Sequence, residues 1–277
     1  MNIRKLKKRR FHDLPAIVIA AVGTKTKGKI VYDLFDSQLK QKLPGYRVVW
    51  AYASEIVREK TGHPGMLEAL ATLEAEGYRK VVVQPLYLFA GTEYKELVKD
   101  CLSFPGLRVL VGETLAHRWP FVEEVLAVLS QDFLSSNEGA NLLIIHGTPH
   151  CVDPANIVYV GLDYLLSQTF ENVILASLEG IPGQKGFFNK LSKVIKDIPE
   201  KVRIIPFLYA SGVHVQEDLF GDGNSFKTRL MTLGYECDCL FVQHNGYRFP
   251  KSLGFYEAVQ LFFIDRVKMA IDLIAYY

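Results

Sequence analysis

Apolar runs alternate along this chain with stretches of helical periodicity, and that rhythm predicts the fold. Strand-like runs fall at Ala16–Val22, Arg47–Tyr52, Lys80–Leu88 and Leu107–Gly112. Between them, Ile30, Val31, Leu34 and Leu39 mark one amphipathic helix, and Met66, Leu67, Leu70 and Leu73 a second. Glu96 to Leu102 supplies a short third helix. Pro120 opens a fourth, with Val122, Val125, Leu126 and Leu129 on its apolar side; proline's fixed φ and missing N–H suit the first helical turn.

After a polar break at Ser135-Ser136-Asn137-Glu138-Gly139, the order repeats. Strands read as Asn141–Ile145, Asn172–Leu178, Val202–Leu208 and Glu236–Val242, and helices as Pro154–Gln168, Gly186–Lys196, Glu217–Leu233 and Leu253–Ala275. Strand and helix alternating at this spacing imply mainly parallel sheets covered by helices, with right-handed crossovers. Landmarks repeat too. Gly23 and Gly147 are 124 residues apart, Ala53-Ser54 and Ala176-Ser177 are 123, and Pro85 and Pro206, like Gly91 and Gly212, are 121. The chain therefore reads as a duplicated α/β protein: a basic tail over 1–13, a first lobe over 14–134 and a second over 140–277, with a cleft between the strand ends.

Ligands in open α/β sheets bind outside the carboxyl ends of the strands. In the second half three ionisable residues stand there: His146 after Leu142–Ile145, Glu179 after Ala176-Ser177-Leu178, and His214 in Gly212-Val213-His214. The first copy carries Val22 where the second carries His146. Two imidazoles and a carboxylate form a borderline donor set that suits Fe²⁺, Co²⁺, Ni²⁺ or Zn²⁺. Glu93 lies 121 residues before His214 and is expected to face the same cleft from the first lobe, as an acid, a base or an outer metal contact. The apolar run before Glu179 predicts a partly desolvated carboxylate. His150 follows His146 by four residues, but Pro149 argues against a helical zinc pair, leaving it an outer or substrate-facing role.

Composition narrows the function. With 277 residues and a net charge of +2, the chain can bury a substantial core and lacks the basic excess of a nucleic-acid binder. No apolar run approaches the ~18 residues of a membrane span. Four cysteines give no disulfide framework, and Cys237 and Cys239 read as structural thiols on one strand face. The cytoplasm is the expected compartment, although a basic tail before a short apolar run is also a signal-peptide pattern and leaves export open. Gly23-Thr24-Lys25-Thr26-Lys27-Gly28 lacks the phosphate-loop spacing, and Gly221-Asp222-Gly223-Asn224-Ser225 reads as a turn.

These features together resemble a known family. His146-Gly147-x-x-His150, Glu179, Gly212-Val213-His214 and Asp222-Gly223-Asn224-Ser225-Phe226-Lys227 are similar to the anaerobic cobalt chelatases, the sirohydrochlorin cobaltochelatases of the class II group, related in fold to ferrochelatase. Gln84-Pro85-Leu86-Tyr87 and Gly91-Thr92-Glu93-Tyr94 fit the same pattern. The resemblance implies a bilobal fold with a tetrapyrrole in its cleft, with His146, Glu179 and His214 binding the incoming metal. It implies Co²⁺ insertion into sirohydrochlorin for cobalamin synthesis, with no cofactor besides the divalent metal substrate. A ferrochelatase or nickel chelatase on a related ring, and a non-catalytic metal or haem carrier, remain open. Expected partners are the ring and the metal, with no nucleic acid or membrane; a homo-oligomer is compatible with the sequence. Lys25, Lys27 and Lys185 are candidates for contacting the ring's carboxylates.

Overall fold

The computed structural model describes residues 11–194 and 201–276, without the side chains of residues 184, 185 and 192–194. Most of the basic tail, Arg4 to Arg10, and the Lys185 side chain therefore lie outside the described residues.

Two four-stranded sheets form, each parallel throughout. The first contains β1 (Ala16–Ala21), β2 (Val48–Tyr52), β3 (Lys80–Pro85) and β4 (Arg108–Val111) in the order β2-β1-β3-β4. The second contains β5 (Ala140–Gly147), β6 (Val173–Glu179), β7 (Lys201–Pro206) and β8 (Glu236–Asp238) in the order β6-β5-β7-β8. Strand orders thus match copy for copy. Register matches as well: Ala16 faces Val81 in one sheet, and Ala140 faces Val202 in the other. A duplication predicts both results.

Side-chain alternation explains why the central strands read as unbroken apolar runs. Ile17 and Ile19 of β1 point into a core shared with Leu143 and Ile145 of β5. Ala16, Val18 and Ala20 point the other way, toward Leu70 and Leu73 of α3 (Met66–Glu76) and Leu97 of α4 (Thr92–Leu102). On the second sheet, Leu142 and Ile144 face outward to Phe187 and Leu191 of α7 (Gln184–Val194) and Leu230 of α8 (Phe226–Thr232). Burial on both faces removes the polar alternation that a half-exposed strand would show.

Several elements differ from the expected ones. α4 starts at Thr92 rather than Glu96, because Gly91 sits extended as its cap. A further helix, α2 (Glu55–Thr61), is capped by Ser54 and stopped by Gly62. The expected helix Glu217–Leu233 is broken into a wide turn at Val215–Leu219 and α8, with Gly221 to Ser225 between them. The expected strand Glu236–Val242 is also split. β8 ends at Asp238, and a separate antiparallel hairpin follows, β9 (Phe241–His244) and β10 (Tyr247–Pro250). Asn245 and Gly246 both have positive φ, 49° and 77°, as a two-residue hairpin turn requires. Cys237 and Cys239 consequently do not share one strand. Each thiol is partly buried against a backbone carbonyl, and burial pushes their pKa values up to about 11 and about 12.

The break at residues 135–139 separates the lobes in sequence but not in packing. Buried Asn141 bonds both backbone polar groups of Leu134, and buried Asn172 donates to the carbonyls of Leu134 and Gly139. The last helix, α9 (Glu257–Ala275), packs back on β3 and β4 of the first sheet. Phe263, Val267 and Ile274 of α9 enter the shared core with Val125 and Leu129 of α5 (Trp119–Leu129). Buried Arg266 donates to the carbonyls of Thr114 (2.7 Å) and Leu115 (3.1 Å) and lies over the Phe121 ring. Its pKa falls to about 10, mainly through desolvation. Methionine at this position would keep the stem's packing and leave both carbonyls unpaired. Arg266→Met should cost about 2–3 kcal/mol in urea unfolding; an unchanged midpoint would deny this clasp a structural role.

Candidate functional site

The site is built on the carboxyl end of β5. His146 lies inside the strand, next to its last residue, rather than beyond it. Gly147 then takes φ +74°, and a side chain there would strike the Glu179 carbonyl at 1.9 Å. Glycine is therefore required by both conformation and space. His146 is half-buried, with Nδ1 3.1 Å from the Gly147 carbonyl oxygen. A carbonyl only accepts, so Nδ1 carries a proton, and in the neutral ring Nε2 keeps its lone pair.

His214 arrives from the loop after β7. Its ring lies edge-on to that of His146, with centroids 4.6 Å apart at 90°. His214 Nδ1 is 2.7 Å from Asp218 Oδ2, one turn later in Val215–Leu219. Donation to that carboxylate again leaves Nε2 free. Two neighbouring imidazoles are thus held with Nδ1 as donor and Nε2 available. Metal-binding histidines commonly have their other nitrogen engaged in this way. The sequence pattern does not single out Asp218; its signal is the four-residue spacing from His214.

Glu93 occupies the first turn of α4, on the other lobe. The surrounding protein desolvates its carboxyl and raises its pKa, as do Glu96 and Asp153, while nearby His146 opposes the rise. By surface area Glu93 remains exposed, consistent with a cleft residue that water still reaches. Tyr87 and Tyr159, both buried, lie within the field of this carboxylate, and their phenols are raised by burial first. Asp153 joins the two halves here. Its carboxylate accepts from the backbone of Thr92 (3.2 Å), at the start of α4, and of Ala155 (2.9 Å), at the start of α6 (Ala155–Thr169).

The structure does not bring every expected residue together. Glu179 is the last residue of β6 and is exposed, not partly desolvated. It pairs in register with Gly147, so strand alternation sends its side chain and that of His146 to opposite faces. Among the described residues no hydrogen bond ties Glu179 to either imidazole, and no group of three or more acidic, cysteine or histidine side chains is gathered closely enough to hold a metal. His150 is exposed in the turn before α6, where its carbonyl accepts from Asn156. A hollow of about 520 Å³ between α2 and α3, lined by Glu55, Arg58, Glu59, His63 and Glu68, involves neither imidazole. No helix among the described residues is long and apolar enough to cross a membrane.

Comparison with known proteins fits this geometry. The family model described as Cobalt chelatase (CbiK) matches residues 15–272, and the chain belongs to that family. Among curated relatives, the sirohydrochlorin cobaltochelatase CbiKC of Nitratidesulfovibrio vulgaris is 27% identical over 234 residues, covering 80% of this chain and 81% of its own. A sirohydrochlorin cobaltochelatase of Salmonella typhimurium is 24% identical over 176 residues, covering 61% of this chain and 63% of its own. Among solved structures, SirB from Bacillus subtilis with Fe³⁺ has the same fold, with a TM-score of 0.60 at 17% identity, over 93% of this chain and 95% of that one.

Asp153 gives a test of how the lobes meet. Desolvation is the largest influence on its carboxyl and opposes ionisation. The hydrogen bonds from Ala155 and Thr92, with nearby His150, still hold its pKa below the ordinary 3.8. The folded protein thus binds this proton less readily than the unfolded chain. Its stabilisation is complete above the unfolded pKa and is lost as pH falls through the folded value. Asp153→Ala should cost about 1 kcal/mol at pH 7, and the gap from the parent should close in acid. A gap independent of pH would show that the charge is irrelevant.

Proposed function

We propose that this chain is a chelatase that inserts Co²⁺ into sirohydrochlorin. The observation that carries this reading is the pair of imidazoles at the strand ends, each with Nδ1 engaged and Nε2 free. The named activity of the cobaltochelatase relatives supports the choice of metal and ring.

Metallation exchanges the ring's inner N–H protons for a divalent cation. Metal–nitrogen bonds form, protons leave, and no electron is transferred, so ATP and redox cofactors are unnecessary. The cation must shed water, be held and then be released. Two neutral imidazoles suit this, being weaker and less charged donors than thiolates. In this reading His146 and His214 hold Co²⁺ through Nε2, and Asp218 and the Gly147 carbonyl keep the required tautomers. Glu93 faces them from the first lobe, and its raised pKa fits a proton acceptor. Glu179, on the neighbouring strand end, supplies charge balance, and it reaches the metal by swinging its exposed side chain round from the opposite face. All four cysteines are unpaired, which fits the reducing cytoplasm.

Iron is the second reading, because this donor set does not discriminate strongly among divalent metals. Initial rates with Co²⁺, Fe²⁺, Ni²⁺ and Zn²⁺ on sirohydrochlorin should rank cobalt first. Metallation that stops at one equivalent of ring would instead identify a carrier.

His146→Ala and His214→Ala should each abolish turnover. Stability should change by only about 0.5 kcal/mol, since His146 stands at a strand end and His214 in the loop after β7, both outside the core. Asp218→Asn keeps the shape but replaces the charged acceptor of His214 with a neutral one, and about a tenfold to hundredfold loss of metal affinity or rate is expected. Glu179→Gln should lower turnover strongly while keeping ring affinity, measured by absorbance titration. Near-normal rates in any variant would remove that residue from the mechanism.

A further inference from the structure

The geometry points to the β9–β10 hairpin, together with the Thr24–Gly28 loop, as a cationic ledge that recognises the carboxylate side chains of a polycarboxylate ring. This inference rests on the chelatase reading and extends it to a surface that the reading does not use.

Buried Ser211 organises the ledge. Its carbonyl accepts from Thr26 Oγ1 at 3.2 Å and from Gln216 Nε2 at 3.4 Å. Its hydroxyl donates to the Pro250 carbonyl at 2.5 Å, at the end of β10. Gly28 packs so closely on that Ser211 carbonyl that a Cβ would come within 2.1 Å of its oxygen. One residue thus ties together a loop from the first lobe, the base of the hairpin and the segment that carries His214 three positions later. The Lys251 amide donates to the Leu240 carbonyl, and the Lys251 ammonium pairs with Asp132 at 2.6 Å, which fastens the hairpin's base.

Cations are displayed on this frame. Lys27 Nζ lies 3.5 Å from the centroid of the Tyr247 ring, and the Arg248 guanidinium lies 3.7 Å from that of Phe241. Lys25, Lys27 and Arg248 are exposed, and none forms an ion pair with a carboxylate among the described residues. The aromatic faces hold the lysine and arginine heads without neutralising them. Tyr247 is 49% exposed and Phe241 40%, an unusual outlay of aromatic surface on a two-stranded ribbon outside both sheets. Preorganised, uncompensated cations beside the His214 loop suit an anion with several carboxylates arranged around an apolar ring. A dicarboxylate porphyrin would engage such a ledge much less.

The test is binding of metal-free rings, followed by absorbance and fluorescence titration, with Co²⁺ insertion measured on the same preparations. The probes are sirohydrochlorin, uroporphyrin as a second octacarboxylate, and deuteroporphyrin as a dicarboxylate. Lys27→Gln and Arg248→Gln should each weaken octacarboxylate binding about threefold. The double variant should compound the loss, and Lys27→Arg should restore it. Tyr247→Leu should weaken binding as Lys27→Gln does, whereas Tyr247→Phe should not. The losses should vanish at ~1 M salt, where the screening length falls to about 3 Å, and deuteroporphyrin affinity should not move. Equal losses for deuteroporphyrin, or none for the octacarboxylates while the parent metallates sirohydrochlorin, would overturn the ledge alone. A parent protein that neither binds nor metallates the octacarboxylate rings would overturn the ledge and the chelatase reading together.

Discussion

Both sheets turn one face into a single apolar core, and every other feature depends on that burial. β1 and β5 are inner strands of their sheets, and Ile17, Ile19, Leu143 and Ile145 meet there with Phe263 and Val267 of α9. Each such side chain contributes about 1.5–3 kcal/mol when fully buried. A hydrogen bond between the halves, such as Thr26 to Ser211 or Thr92 to Asp153, contributes nearer 1 kcal/mol. The core therefore holds the lobes together, and the hydrogen bonds adjust where their strand ends stand. Because every strand within a sheet is parallel, the strand ends that carry His146 and Glu179 and the loop that carries His214 lie at the same edge of one sheet.

The division of chemistry between the lobes follows from the duplication. Val22 occupies in the first copy the place that His146 holds in the second, so the imidazoles stand on one lobe alone. The first lobe contributes Glu93 instead, at the start of a helix fastened to the second lobe by Asp153. In the proposed reaction the cation is held from one side and protons are accepted from the other.

The relation between the imidazoles and their oxygen partners is the finest detail in the site. A neutral imidazole has one proton for two nitrogens, and its hydrogen-bond acceptor decides which nitrogen keeps the lone pair. Gly147 settles this for His146 through the chain's own turn, while Asp218 settles it for His214 through a side chain one helical turn away. The two solutions differ in charge. His214 faces a carboxylate, and His146 rests on a neutral carbonyl.

Local pattern determined much of this protein. Apolar runs and helical periods identified the eight parallel strands and most helices, because burial on both faces writes itself into consecutive residues. The repeated landmarks announced the duplication, since equivalent turns need the same glycines, as Gly23 and Gly147 show with φ values of 90° and 74°. His146, Glu179, His214 and Glu93 could be singled out because a polar residue ending an apolar strand is conspicuous. Only the tertiary structure decided which of them meet. It set the His146 and His214 rings 4.6 Å apart and left Glu179 exposed on the adjoining strand end, a difference of register and pleat that residue type does not encode. It also returned α9 to the first sheet, folded Phe241 to Pro250 into a hairpin and placed Asp218 on His214. Those outcomes depend on contacts between residues far apart in the chain, or on the geometry of a broken helix. The sequence supplies such partners without stating the distance between them.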